Sequence, residues 1–377
     1  MKLTLPLLSV VLLAGQALAQ GKDKIMVGVV GSLTGAEATF GQSTRRGVEL
    51  AIEEVNAKGG YKGRMLEAKS YDDQGKPEEA ATATTRLIAQ DKVAIVLGEV
   101  ASSRSLAMAP IAEANKIPMI TPSSTNPRVT KDGGKVRNWV FRVCFIDPFQ
   151  GTVMAKFARE TLKLKNVAIL RDVGNDYSMG LSDFFTETFT KLGGAIIADE
   201  SYKAGDQDFK AQLTSIKGKK PEAIYTPGYY TDIGLIARQA RELNINQPLL
   251  GGDGWDSSKL YEIGGSALEG YYFSNHYSTD DPSPAIQNFI KTYKAKYKET
   301  PDAIAALGYD ALMIFVDALN RAGKTDGEAL RKALAATKGF KGVTGVVTID
   351  KDHNAVKPAV VLKIVGKKPQ FAATIKP

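Results

Sequence analysis

Two short hydroxyl clusters carry the clearest chemical potential in this sequence, Ala101-Ser102-Ser103 and Ser123-Ser124-Thr125. Each follows an apolar run with the character of a buried strand, residues 93–97 and 118–120, and the stretch between them has helical character. In a parallel α/β sheet, neighbouring strands deliver their carboxyl ends to the same edge, which is where ligands bind. Two hydroxyl clusters at that edge, one of them opening a helix with unpaired N–H groups, form a site for a small anion such as a carboxylate. Each cluster also has a purely local reading, in which Ser102 or Ser103 caps its helix and Thr125 holds a turn. Their occurrence together on adjacent strands favours the ligand reading.

A second group of candidates lies further along the chain. Asp253 stands in the turn GGDGW at a strand end. A carboxylate there faces a cation, and the flanking glycines let backbone approach closely. Tyr229 and Tyr230 follow Pro227-Gly228 at another strand end, and Tyr177 lies in the sequence NDYS just before a helix. A phenol ring covers the apolar part of a ligand while its hydroxyl donates a hydrogen bond. The pair Asp72-Asp73 precedes an alanine-rich helix, with no histidine nearby, and reads as a cap in preference to a metal site.

Catalytic patterns are missing. The two histidines, His276 and His353, are far apart and lack metal-ligand spacing. There is no G-x-S-x-G elbow and no phosphate-binding G-x-x-x-x-G-K-[ST] loop. The glycines after the first strand, GSLTG, do not follow the dinucleotide spacing. A few placed polar groups in apolar surroundings fit binding better than turnover, so neither an enzyme nor a cofactor is expected.

The elements that must position these residues alternate between short β-branched runs and helical stretches of roughly ten to fifteen residues, which implies parallel, doubly wound α/β sheets. A single sheet of about a dozen strands would be unusually large, so the 377 residues are expected to form two α/β lobes. Hydrophobic residues make up 44% and charged residues 24%, an ordinary globular composition. The formal charge of +8 comes from dispersed lysines without aromatic–basic repeats, so no nucleic-acid partner is expected. Residues 1–19 read as a cleaved secretory signal: Lys2, an apolar run from Leu3 to Ala14, and Ala17-Leu18-Ala19 before the cut, with Gln20 as the mature start and no lipid-anchoring cysteine. No other segment is expected to span a membrane. Cys144, the sole cysteine, sits in an apolar run and reads as a core residue, so the lobes must hold without disulfides.

The combination of motifs resembles the leucine/isoleucine/valine-binding family, the periplasmic binding proteins of branched-chain amino acid ABC transporters. It covers essentially the whole mature chain: VGVVGSLTG with Phe40-Gly41 beyond it, AIEEVNAKGG, EAKSYDD, the ASS cluster, TPSSTNPRVT, FRVCFIDPFQG, GYYTDIG and GGDGW occur in the family's order. The resemblance implies a type I periplasmic binding protein fold, two doubly wound parallel-sheet lobes joined by three crossings. Residues 24–146 with 277–345 would form the first lobe, and 147–276 with 346–377 the second. An amino acid, branched-chain or otherwise apolar, would be enclosed between the lobes and delivered by a soluble periplasmic monomer to a membrane-embedded ABC permease. Carried over by position, Ser102 and Thr125 would bind the ligand carboxylate, helped by backbone at Ser103 and Ser124. Asp253 would pair with the ammonium, Tyr229 and Tyr177 would close from the second lobe, and Phe40 would line the side-chain pocket. Members also carry a disulfide linking the positions of Gly75 and Ala101, and this chain has neither cysteine. The alternatives are the same fold binding an aromatic or aliphatic carboxylate, an amide or urea, or serving as a ligand sensor. A transcriptional regulator on these lobes would carry a DNA-binding headpiece where this sequence has a signal segment.

Overall fold

The structure is a computed structural model that describes residues 24–376; the expected signal segment lies outside them. The first lobe is built from β1 (Ile25–Gly31), α1 (Ala38–Ala57), β2 (Leu66–Asp72), α2 (Pro77–Ala89), β3 (Ile95–Leu97), α3 (Ser102–Asn115) and β4 (Met119–Thr121), then the small hairpin β5 (Lys131–Asp132) and β6 (Lys135–Val136), and β7 (Val140–Arg142). Its main sheet has five parallel strands in the order β2-β1-β3-β4-β7, with Val96 beside Met119 and Leu97 beside Ile120. β3 and β4 are wholly buried, as strands covered on both faces must be. That pairing puts the ends of β3 and β4, and so both hydroxyl clusters, side by side.

The chain then crosses to the second lobe: α4 (Asp147–Lys156), β8 (Asn166–Asp172), α5 (Asp176–Lys191), β9 (Ala195–Tyr202), α6 (Lys210–Lys219), β10 (Ala223–Tyr225), α7 (Tyr230–Glu242), β11 (Leu249–Gly251), α8 (Ser258–Gly264) and β12 (Tyr272–Asn275). It returns to the first lobe with α9 (Pro284–Tyr297), α10 (Ala303–Ala322), α11 (Gly327–Ala335), β13 (Phe340–Gly342), β14 (Gly345–Ile349) and β15 (Ala355–Val356), and crosses a third time into β16 (Ala359–Val365) and β17 (Lys368–Ile375).

Three features depart from the sequence reading. The second sheet, β17-β16-β12-β11-β10-β8-β9, is not wholly parallel, because β16 runs antiparallel to β12 and β17 antiparallel to β16. β17 was not foreseen: it is an edge strand whose residues are mostly exposed, so it lacks the apolar run that marks the buried strands. The third crossing comes later than the expected division after residue 345, which falls inside β14. Val347, Ile349 and Ala355 pack in the first lobe's core, and β14 pairs with β13 and β15, so the chain stays with that lobe through Val356.

α10 is also long and apolar enough to cross a membrane by length and composition, contrary to the expectation that no later segment would be. It is the central helix of the first lobe, with Leu307, Ala311, Phe315 and Leu319 fully buried against α1 and the sheet. α1 and α10 approach closely at Gly47 and Gly308. A Cβ on Gly47 would come within 2.0 Å of the Ala305 carbonyl oxygen. Gly47→Ala is expected to force the helices apart at a cost of about 1–3 kcal/mol, read as a lowered urea midpoint with an unchanged slope.

The lobes are closed on each other. Phe40, Val100, Ala101 and Ile304 of the first lobe pack into the second lobe's hydrophobic cluster. Across the cleft, the Thr39 N–H donates to the Tyr230 hydroxyl (3.2 Å), Thr39 Oγ1 meets Ser257 Oγ (2.9 Å), and Thr231 Oγ1 donates to the Ala36 carbonyl (2.6 Å).

Candidate functional site

A narrow cavity of about 10 Å³ lies between the lobes, lined by Phe40, Val100, Ser123 and Ile304 from the first and by Tyr177, Tyr229, Asp253 and Gly254 from the second. At that volume the walls are nearly in contact, and any solute larger than about one water must part them. The wall is aromatic. Tyr177 and Tyr229 stack with ring centroids 5.4 Å apart, and Phe40 meets Tyr229 and Tyr230 edge-on at 5.4 and 5.0 Å.

One charged group faces this space. Asp253 is 3% exposed and follows β11 in a short turn. Its Oδ1 accepts from Gln150 Nε2 (2.8 Å) and the Tyr177 hydroxyl (3.0 Å), and its Oδ2 is bonded to His276 Nε2 (2.8 Å) and accepts from Ser123 Oγ (3.2 Å). Burial works to raise its pKa, but the hydrogen bond and the electrostatic pull of His276, with the bonds from Gln150 and Tyr177, overcome it and hold the carboxyl below its ordinary range. His276 itself is pushed below the ordinary histidine value by burial, against the pull of Asp253. The geometry favours a neutral imidazole, because Nδ1 is buried without a partner. Its help to Asp253 is then that of an N–H dipole and not of a cation. Gly252 makes room for this arrangement, since a Cβ there would lie 2.2 Å from the Tyr177 hydroxyl and 2.8 Å from Gln150 Nε2.

On the first-lobe side, the lining residue Val100 lies just ahead of the start of α3. The helix opens at Ala101 with no side-chain cap, so neither Ser102 nor Ser103 plays the capping role that the sequence left open. The N–H groups of its first turn have no intrahelical partners. Ser102 Oγ accepts the Asn126 N–H (3.2 Å), which ties the two hydroxyl clusters together and leaves its own proton to donate. The Thr125 hydroxyl is buried without a hydrogen-bond partner. It lies near Asp147, whose carboxyl burial pushes up to about 8 while the threonine works the other way.

The other two serines are committed elsewhere. Ser103 Oγ donates to Asp176 Oδ2 (2.9 Å) and accepts the Asp176 N–H (3.2 Å), linking α3 to the start of α5 across the cleft. Ser124 is a correction to the expected ligand set. Its N–H donates to Thr121 Oγ1 (2.9 Å), and its hydroxyl is held by Ser105 Oγ (2.6 Å) and the carbonyls of Glu99 (2.9 Å) and Val100 (3.0 Å). Ser124 therefore braces the ends of β3 and β4.

Behind α3, Glu99 and Arg104 organise the strand ends. Glu99 accepts the Ala101 N–H and the Ser32 N–H (3.2 Å), and its carbonyl accepts from Thr121 Oγ1 (2.6 Å). Arg104 lies 3.1 Å from Glu99, 2.7 Å from Glu37 and 4.0 Å from Asp73. Asp72 and Asp73 tie the loop after β1 to the loop after β2. Asp72 accepts the Leu33 N–H (2.8 Å), and Asp73 accepts from Ser32 Oγ (2.8 Å) and the Gly75 N–H (2.9 Å). Among the described residues no group of three or more His, Cys, Asp or Glu side chains is placed to hold a metal ion.

Of the residues singled out in the sequence, Phe40, Tyr177, Tyr229 and Asp253 line the cavity, while Ser102, Ser103, Ser124 and Thr125 do not. Sequence reasoning missed Val100, Ser123, Gln150, His276 and Ile304. Ser123 was visible as a member of its cluster. The others carry no spacing signal, because their partners lie far away in the chain.

Comparison with known proteins gives a consistent picture. A family profile described as periplasmic binding protein matches residues 24–369. The chain is 32% identical over 349 residues to a Leu/Ile/Val-binding protein homolog of Brucella melitensis, covering 91% of this chain and 93% of that protein. Among solved structures, a leucine binding protein from Thermotoga maritima superimposes with a TM-score of 0.88 at 44% identity, over 94% of this chain and 99% of the other. A branched-chain amino acid transporter substrate binding protein from Streptococcus pneumoniae, solved with isoleucine, superimposes with a TM-score of 0.89 at 35% identity, over 94% and 100% of the two chains.

Proposed function

Because this chain belongs to the periplasmic binding protein family, we propose that it is the solute-binding component of an ABC transporter, capturing a branched-chain or other apolar amino acid between its lobes and presenting it to a membrane permease. The observation that carries this reading is Asp253 on the second lobe, buried at a small aromatic cavity and held by Gln150, Tyr177, His276 and Ser123, with the first-lobe lining residue Val100 just ahead of the uncapped start of α3. A zwitterion is the solute that matches both walls. Removing its two charges from water costs several kcal/mol per ion unless each meets a partner. Asp253 takes the ammonium, while the first N–H groups of α3 with the hydroxyls of Ser102 and Thr125 take the carboxylate. Phe40, Tyr177, Tyr229 and Ile304 surround the side chain.

Since the two ends of the ligand are held by different lobes, binding favours the closed form, which a permease distinguishes from the open one. On this reading the protein is exported by its leader, works as a soluble monomer and catalyses no reaction. A thermal-shift panel of the amino acids tests it. A bound amino acid at ~100 times its Kd should stabilise the fold by about 2.7 kcal/mol, with apolar side chains giving the largest shifts. No shift from any amino acid overturns the reading.

A further inference from the structure

His276 was set aside in the sequence because it has no metal-ligand spacing, yet it touches the one charge in the site. It begins the second crossing, directly after β12, and its side chain is wholly buried. The ring stacks on Phe145 at 3.9 Å with planes 21° apart, which fixes its orientation. Nε2 lies 2.8 Å from Asp253 Oδ2, and Nδ1 is buried with no partner. A carboxylate only accepts hydrogen bonds, so the ring's proton sits on Nε2. A second proton, on Nδ1, would be a buried donor with nothing to receive it, which is costly.

We infer that His276 is a specificity-determining positioning residue: kept neutral, it fixes Asp253 as an anion that no protein cation compensates, so that the site demands a ligand with its own positive charge. This rests on the proposed capture of an amino acid and extends it to how amines are told from acids that lack one. The other three donors to Asp253, from Gln150, Tyr177 and Ser123, are also neutral. Gln150 Nε2 additionally donates to Ser274 Oγ (2.9 Å), so its amide is anchored as well.

Of the charged groups around His276, Asp253 favours a second proton on the ring, while burial and Lys357 oppose it. Asp253 is the anion it touches. Lys357, 2% exposed on the third crossing, opposes a positive charge on the ring. Cys144, on the first crossing, has its thiol pushed up to about 12 by burial and stays uncharged. Asp147, near Asp253, has its carboxyl pushed up to about 8 by burial, so it supplies little negative charge at neutral pH.

The charge count then sets the specificity. With His276 neutral, Asp253 and an incoming ammonium neutralise each other. With His276 protonated, Asp253 already has its counter-ion, and the ammonium arrives as a surplus buried charge. A proton on His276 and the ammonium of the ligand therefore exclude each other. An acid without the amine, such as 4-methylpentanoate, gains nothing from the neutral site and is repelled by Asp253.

The chain has two histidines, so NMR of labelled imidazole nitrogens reads His276 directly, alongside calorimetric affinities for leucine and 4-methylpentanoate as a function of pH. The expected result is a neutral ring protonated at Nε2 at neutral pH. Leucine affinity should fall roughly tenfold per pH unit once His276 protonates, while 4-methylpentanoate affinity does not fall. His276→Gln, which keeps an N–H donor and cannot titrate, should lose that acid-side fall, whatever its affinity at neutral pH. An imidazolium at neutral pH overturns the inference, as does the same fall in His276→Gln, or a wild-type leucine affinity that stays level while His276 is seen to protonate. If His276→Gln does not fold, the wild-type titration alone decides. Failure of the wild-type protein to bind any amino acid at neutral pH overturns the proposed function itself and is distinct from these outcomes.

Discussion

Asp253→Asn is expected to weaken amino-acid binding by about thirtyfold or more while leaving the lobes folded. The carboxylate is buried, and it is the one ionised acceptor among the residues lining the cavity. Truncating one partner of a buried charge pair costs ~2–5 kcal/mol, which corresponds to roughly thirty- to several-thousand-fold in Kd. Much of that penalty is the ligand's ammonium left in a dry site without its counter-charge. The fold should tolerate the change because removing a buried charge relieves its desolvation, and one amide oxygen still accepts from two of the four donors. The substituted amide nitrogen faces either the Gln150 and Tyr177 pair or the His276 and Ser123 pair. The first arrangement is favoured: the Tyr177 hydroxyl turns to accept from the nitrogen and the imidazole keeps its proton on Nε2, whereas the second would move that proton to the partnerless Nδ1. Calorimetry with leucine, checked against the melting temperature, measures both quantities. An affinity within threefold of wild type would remove Asp253 from the ammonium role.

The largest stability effect is expected at Arg104. Its side chain is 5% exposed and is the one cation among Glu99 and Asp73, each fully buried, and Glu37, which is nearly so. Arg104→Met should cost about 3–5 kcal/mol at neutral pH, because it leaves uncompensated buried carboxylates. The pH dependence follows from the direction of the shifts. Burial raises the Asp73 carboxyl from 3.8 to about 7, with Glu99 adding to the rise and Arg104 opposing it, and burial likewise raises Glu37. A carboxyl with a raised folded-state pKa stabilises the fold where it is protonated in both states. That contribution is lost as pH rises from the unfolded value through the folded one. Without Arg104 both groups rise further, so the cost of the substitution should be small near pH 4 and grow through pH 7. Urea unfolding across that range reads it, and a cost below 1 kcal/mol or one flat in pH would contradict the account.

The same cluster explains how the strand ends hold without a covalent link between Gly75 and Ala101. Arg104 Nη1 donates to the Gly75 carbonyl (3.3 Å), Glu99 takes the Ala101 N–H, and Asp73 takes the Gly75 N–H (2.9 Å). Polar contacts thus join the two segments at which relatives are expected to carry a disulfide.

The alternation of strands and helices was legible because each buried strand is an apolar run bounded by polar turns. The placement of Asp253 and of the two hydroxyl clusters at strand ends was legible for the same reason. β17 was not, since an exposed edge strand has no apolar run, and the third crossing was misplaced because β14 is as apolar as a strand of either sheet. Within the site, the misses are residues whose meaning lies in a distant partner. Gln150 and Asp253 are 103 positions apart, and His276 approaches Asp253 only after β11 and β12 pair. Ser124 erred in the other direction. Its residue type and position suit a ligand contact, but Thr121, Ser105 and two carbonyls consume both its groups, and local sequence carries no sign of that.

The central claim is that a zwitterion bridges the lobes, ammonium on Asp253 and carboxylate at the start of α3. A crystal structure of the protein with leucine tests it most directly. The account predicts the leucine nitrogen about 2.8 Å from an Asp253 carboxylate oxygen, with Ser123 Oγ displaced from it. It places the leucine carboxylate on the first N–H groups of α3 and the hydroxyls of Ser102 and Thr125. Leucine bound with its nitrogen away from Asp253, or with its carboxylate turned to the second lobe, would contradict it.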